Sequence, residues 1–269
     1  MLVWGIGHFC AIAVGISLGL IGGGGSILAV PILVYVMGVG VKSAIAISLV
    51  SVGTVSAIGA FLHWQKGNMR IDIALLFAPA AMVGAYLGAF VASFSWVSET
   101  FQLLCFCAVM LLASILMITK SKQQSQKACT IHSSQLAPQT LDRDRSFFHQ
   151  AMIPVEGLGI GMLTGFVGIG GGFAIVPSLV LLTSIPMKQA VGTSLLIISL
   201  KSVTGFLGYL GQLKVEWTLV VSFTLAASLG TLFGSYFNQF INAKALQVGF
   251  GYFVLFFAAL ILLAQVSLP

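Results

Sequence analysis

The sequence predicts an all-α polytopic membrane protein made of two internally repeated helical units. Three observations predict it. Hydrophobic residues make up 58% of the 269 positions and charged residues only 7%, with a mean hydropathy of +1.08. A soluble domain carries about 25% charged residues, and so few charges cannot cover a surface of this size. Long apolar runs fill most of the chain. The two halves also align without gaps at an offset of 146 residues.

Ten apolar segments are expected, at roughly 5–21, 26–38, 43–64, 72–95, 100–118, 151–167, 173–185, 190–211, 217–237 and 243–266. Depending on how the short ones are counted, they supply about eight to ten membrane segments. The N-terminus, Met1 to Phe9, has no Lys or Arg, so the first segment reads as a retained helix rather than a secretory leader. The expected organisation is a first repeat over 1–119, a polar cytoplasmic loop over 120–150 and a second repeat over 151–269. The stretch Lys120–Gln150 is rich in Ser, Gln and Lys and holds the one basic cluster, Lys120, Lys122, Lys127, Arg143 and Arg145. Basic loops flanking membrane spans mark the cytoplasmic side. The net charge of +6 is spread along loops and is not a nucleic-acid footprint.

The repeat rests on 20 identities in 74 aligned pairs over positions 15–88. Shared apolar composition alone would give roughly a third of that. Gly15, Gly19, Gly22, Gly24, Gly25, Gly59, Gly84 and Gly88 fall on Gly161, Gly165, Gly168, Gly170, Gly171, Gly205, Gly230 and Gly234. Pro31 falls on Pro177 and Ser48 on Ser194. If each glycine cluster is a hairpin the repeats are inverted; if each is a kink in one span they are parallel. The distribution of Lys and Arg leans toward inversion, with both termini outside.

Segments two and seven, Ser26–Gly38 and Phe173–Ile185, have 13 residues each. That is about 20 Å of helix against about 30 Å of hydrocarbon. Each follows a glycine cluster: Gly22, Gly23, Gly24, Gly25 and Ser26 in the first half, Gly168, Gly170, Gly171 and Gly172 in the second. The first N–H groups of a helix lack intrahelical partners and form a positive-ended cradle that suits an anion. Matched, interrupted helices are a signature of secondary transporters. The competing reading is that these glycines only let helices pack. For the GxxxG pairs Gly15/Gly19, Gly84/Gly88, Gly161/Gly165 and Gly230/Gly234, packing is the expected role.

Segments three and eight carry hydroxyls at Ser48, Ser51, Thr193 and Ser194. Lys201 lies near the middle of segment eight, seven residues after Ser194 and so on its face. A charge at a helix centre costs about 2.5–3.5 kcal/mol on insertion scales, so it faces a bundle interior or a wet cavity. It serves either the solute path or a structural bond to a carbonyl. Its first-half equivalent is Val55. The six carboxylates fall near segment ends or in loops, and no zinc, GxSxG or phosphate-loop pattern is present. An enzyme is not expected, nor a cofactor or resident metal. Cys10, Cys105, Cys107 and Cys129 form no CxxC pair and read as small packing residues.

The motif copies GLIGGGGSILAVPIL (Gly19–Leu33) and GFVGIGGGFAIVPSL (Gly165–Leu179) are followed by KSAIAISL (Lys42–Leu49) and KQAVGTSL (Lys188–Leu195). Over nearly the whole chain this pattern resembles the TauE/SafE family of membrane permeases. The first half departs from the family's Thr-Ser pair, carrying Ile47-Ser48. The resemblance implies a permease for a small anion, such as sulfite or an organosulfonate, with the glycine motifs and the Thr-Ser positions near the solute path. The expected partners are that solute and the lipid bilayer, and the expected place is the cell membrane. The alternatives are a transporter or channel for another solute, or a membrane assembly protein that transports nothing.

Overall fold

The computed structural model describes residues 2–92, 101, 105, 107–108, 111–112, 114–115, 119, 143–167, 172–181, 183, 185–209 and 216–267. Among these residues there are helices and no strands. In chain order they are α1 (Leu2–Ile21), α2 (Gly25–Pro31), α3 (Val41–Gln65), α4 (Ile71–Ala92), α5 (Arg143–Val167), α6 (Gly172–Leu181), α7 (Met187–Tyr209), α8 (Trp217–Asn238) and α9 (Ala243–Ser267). A short π-helical turn, Ile32–Val36, extends α2. The described positions between 101 and 119 are also helical.

Four stretches, Ser43–Gln65, Ile71–Ala92, Met187–Leu207 and Trp217–Asn238, are long and apolar enough to cross a membrane. The protein is therefore an all-α, multi-pass membrane protein. One boundary differs from the sequence expectation. α5 begins at Arg143, so the last eight residues of the stretch read as a loop, 143–150, are helical. Apolarity marks where a helix meets lipid, not where its hydrogen-bond ladder starts.

Two seams of small residues hold the outer helices together. In the first, α1 and α8 run parallel, with Gly15 against the backbone of Ala227, Gly19 against Thr231, Gly230 against Ile12 and Gly234 against Ile16. In the second, α4 and α5 run parallel, with Gly84 against Leu158, Gly88 against Met162, Gly161 against Ala81 and Gly165 against Ala85. An added Cβ at any of these eight glycines would overlap the neighbouring backbone. This is the close approach by which small residues pair helices in lipid. The 146-residue offset converts one seam into the other: Gly15–Ala227 becomes Gly161–Ala81, and Gly84–Leu158 becomes Gly230–Ile12.

α3 and α7, which correspond under that offset, cross antiparallel at the centre. Gly53 lies against Ser202, Gly59 against Leu195 and Gly205 against Leu49. Both helices are buried along most of their length, through residues such as Ile47, Val52 and Val55 on α3 and Leu195, Ile197 and Ile198 on α7. α4 and α8 instead expose Leu75, Val83 and Phe90, and Val221, Leu225 and Phe233, as an apolar outer face. Such a face is costly in water and suited to acyl chains.

The glycine break after α1 is a reversal, not a kink. Gly25, at the start of α2, packs on Val14 and Leu18, and Met37, past its end, packs on Gly7. The chain therefore returns along α1. Gly22 makes the turn with φ +78, a left-handed conformation that favours glycine. One end of the bundle then gathers the end of α1, the α3–α4 loop, the start of α7 and the end of α8. Lys66 Nζ donates to Ser235 O at 2.8 Å and Lys188 Nζ to Gln239 O at 3.2 Å across that end.

Candidate functional site

The two glycine breaks approach each other inside the bundle. A Cβ on Gly172 would lie 2.8 Å from Gly23 Cα and would collide with Ile198, the middle residue of α7. Gly168, Gly170 and Gly171 lie outside the described residues. The first break is buried throughout, from Gly22 to Ser26.

Its backbone groups divide by polarity. On the acceptor side, Leu18 O takes the Gly22 N–H at 2.8 Å. Gly19 O faces His63 Nε2 at 3.5 Å, Leu20 O accepts from Asn238 Nδ2 at 2.5 Å, and Gly22 O accepts from Ser194 Oγ at 3.0 Å. Gly23 O accepts from Ser26 Oγ at 2.8 Å. On the donor side, the N–H groups of Gly23, Gly24, Gly25 and Ser26 form no hydrogen bond among the described residues. The break is thus a buried turn with its carbonyls used and its N–H groups open.

The sequence-derived hydroxyls divide as well. Thr193 is committed to the fold: it donates to Gln189 O at 2.7 Å and accepts the Arg70 N–H at 3.0 Å. Ser194 spans from α7 to the break and shares its proton with Val191 O at 2.8 Å. Ser48 and Ser51 on α3 are buried with no hydrogen-bond partner among the described residues. Ser56 and Ser202, which correspond under the offset of 146, are in the same condition. Hydroxyls in membrane helices commonly bond back to their own helix, and these four do not.

Lys201 is 3% exposed. Its ammonium donates to Thr164 Oγ1 at 2.8 Å, and that hydroxyl donates onward to Gly161 O at 3.1 Å. Thr164 sits in the last turn of α5, where the carbonyl end of the helix favours a cation. The described residues record one acceptor for the three donors of this ammonium. Between α3 and α7 lies a separate open pocket of about 400 Å³ lined by Gly53, Thr54, Ser199, Ser202, Phe206 and Trp217 among others, and Lys201 is not part of its lining.

Of the sequence-derived candidates, Gly22, Ser26, Ser194 and Gly172 lie together in the fold. The sequence reading missed His63, Asn238, Thr164 and Ser202. His63 and Asn238 could have been noticed as polar residues at the ends of apolar segments, three and one residues from the nearest loop position, but nothing in the sequence names their carbonyl partners.

The fold defines a multi-pass membrane protein with a buried glycine turn whose N–H groups are open. The profile of the family described as Sulfite exporter TauE/SafE matches residues 8–262, and the chain belongs to that family. It is similar to a "Probable membrane transporter protein" of Xylella fastidiosa (strain 9a5c), 32% identical over 84% of this chain and 82% of the relative. It is also similar to "Probable membrane transporter protein YdhB" of Bacillus subtilis, 28% identical over 87% and 89%. A third relative, a "Probable membrane transporter protein" of Methanocaldococcus jannaschii, is 27% identical over 87% and 86%. No solved structure matches the chain.

Proposed function

We propose that the protein is a permease for a small anion, a sulfur oxyanion such as sulfite or an organosulfonate. The observation that carries this reading is the first break, where the buried N–H groups of Gly23, Gly24, Gly25 and Ser26 form no hydrogen bond among the described residues while Gly19 O, Leu20 O, Gly22 O and Gly23 O meet side-chain donors. Backbone donors of this kind suit an oxyanion, and irregular backbone at membrane depth persists where it is buried or lines a path. Gly22–Ser26 and Gly172, with Ser194 and Lys201, form the described part of the proposed site. The same role is assigned from the sequence to Gly168, Gly170 and Gly171, which lie outside the described residues, and to Ser48 and Ser51 on α3. Thr193 supports the proposed site by fixing the α3–α4 loop to α7. The family's description supports the choice of sulfur.

In the same reading the chain is two inverted repeats, 1–119 and 151–269, joined by the cytoplasmic segment 120–150. The antiparallel crossing of α3 and α7 supports inversion, because a helix and its counterpart run parallel when repeats share one orientation.

Uptake of radiolabelled sulfite into proteoliposomes tests the function. Saturable uptake, competed by a short alkyl sulfonate and not by sodium or potassium, is the expected result. Uptake of neutral or cationic solutes in preference to every anion offered would overturn it.

A further inference from the structure

A glycine break places two helix ends side by side, and they carry opposite partial charges. The last carbonyls of α1 form a negative end and the first N–H groups of α2 a positive one. An anion held by α2 at Gly23–Ser26 would therefore also face α1's carbonyls, and repulsion from them would offset much of the attraction.

The structure answers this with side chains from other helices. His63, near the end of α3, reaches Gly19 O, and Asn238, the last residue of α8, reaches Leu20 O. Both side chains are 1% exposed, although both sit near helix ends where polar groups ordinarily meet water. Burying an amide and an imidazole is costly, and the carbonyl contact offsets part of that cost for each, while His63 Nδ1 and Asn238 Oδ1 have no hydrogen-bond partner among the described residues. Under the 146-residue offset Asn238 corresponds to Ala92, which has no side-chain donor. His63 corresponds to Tyr209, a phenol in place of an imidazole, so the amide and imidazole pair is particular to the first break.

We propose that His63 and Asn238 are positioning residues of the first glycine cradle. They engage the Gly19 and Leu20 carbonyls, cancel the negative end of α1, and leave the break a net donor toward an anion. Neither touches the solute. This rests on the reading of the break as the anion site.

The test measures sulfite uptake by the full chain in proteoliposomes, at matched amounts of folded protein. Asn238→Leu and His63→Phe keep approximate size and remove the donors. Asn238→Asp keeps the shape and puts an acceptor against Leu20 O. Each is expected to raise KM for sulfite by at least about fivefold, with the maximal rate within about twofold, the scale of a helix-end charge interaction. The order expected is Asn238→Asp above Asn238→Leu. His63→Gln, which restores a donor, is expected to recover most of the affinity. A residue that only props up the fold would instead lower the yield and leave KM unchanged. Should His63→Phe fail to accumulate, the Asn238 pair carries the test. Saturable wild-type uptake with unchanged KM in the Asn238 variants would overturn this inference alone. No saturable uptake of any anion by the wild type would overturn the reading of the site and this inference with it.

Discussion

The two helix ends that lead into the glycine breaks, α1 with Gly22 and α5 at Gly161–Thr164, are held by different groups among the described residues. α1 is engaged by three side chains from three helices, His63, Asn238 and Ser194, and all are uncharged donors apart from the imidazole, which can also carry a proton. At α5 the described residues record Lys201 donating its ammonium to Thr164, and Gly165 and Phe166 have partners of their own. The comparison teaches that geometry and chemistry are separable in this bundle. The glycines that set helix distances recur at the 146-residue offset, while the groups that tune the electrostatics do not: Val55 stands opposite Lys201 and Ala92 opposite Asn238.

The largest expected effects concern the shared plan. Gly15→Leu and Gly161→Leu place a branched side chain against backbone in the α1–α8 and α4–α5 seams. Overpacking a tight contact costs about 1–3 kcal/mol, and more where the obstacle is backbone. Both variants are expected to lose most monodisperse protein after detergent extraction, to similar extents. Gly159→Leu, where no atom lies within 4 Å of an added Cβ, is expected to behave as the wild type. Tolerance of one seam variant and not the other would break the equivalence of the two seams.

Orientation is the next test of that plan. Cysteines placed at residues 2 and 268, in a background without the native cysteines, are expected to be labelled from outside, and one placed in the central segment 120–142 from the cytoplasm. Labelling of both termini from the cytoplasm alone would leave the parallel arrangement.

How much of this was legible beforehand follows from what a sequence encodes locally. Helix positions were readable because apolar runs report lipid directly, and α3, α4, α7 and α8 fall within a few residues of the expected segments. The seams were readable because GxxxG spacing is itself the packing signal. Gly88 shows the limit: an alanine there would still press on the Met162 backbone, so spacing reveals the seam but not its tightness. The screening of α1 was illegible, because His63, Asn238 and Gly19 come from three segments separated by 44 residues or more and meet only through the tertiary fold. Thr193 looked equivalent to Ser194 in sequence, yet one is tied to the α3–α4 loop and the other to the break.

Lys201 sharpens the contrast between the two ends. Its charge lies in a low-dielectric setting where an anion is weakly screened from it. Lys201→Gln keeps hydrogen-bonding capacity toward Thr164 and removes the charge. Sulfite binding is expected to weaken by at least about tenfold, or about 1.4 kcal/mol. Thermal stability is expected to hold or rise, since an uncompensated buried charge is gone. Unchanged affinity together with a large loss of stability would show that Lys201 serves only to hold the end of α5.

The smallest expected effects separate Ser194 from its counterpart Ser48. Ser194→Ala removes the donor to Gly22 O at 3.0 Å and leaves that carbonyl buried without it. A typical hydrogen bond contributes about 1 kcal/mol net, and an unsatisfied buried acceptor costs about 1–3 kcal/mol. Because the same proton is shared with Val191 O, the loss belongs at the low end of that range. Ser194→Ala is therefore expected to lower thermal stability measurably and to raise KM for sulfite by about threefold, roughly 0.65 kcal/mol by the same affinity arithmetic. Ser48→Ala removes a buried hydroxyl that has no partner among the described residues, so stability is expected to hold or rise. If sulfite itself contacts Ser48, KM rises in that variant while stability does not fall, a pattern no packing role produces. Equal losses of stability in the two variants would put both hydroxyls in the same kind of bond, and would return the two breaks to symmetric construction.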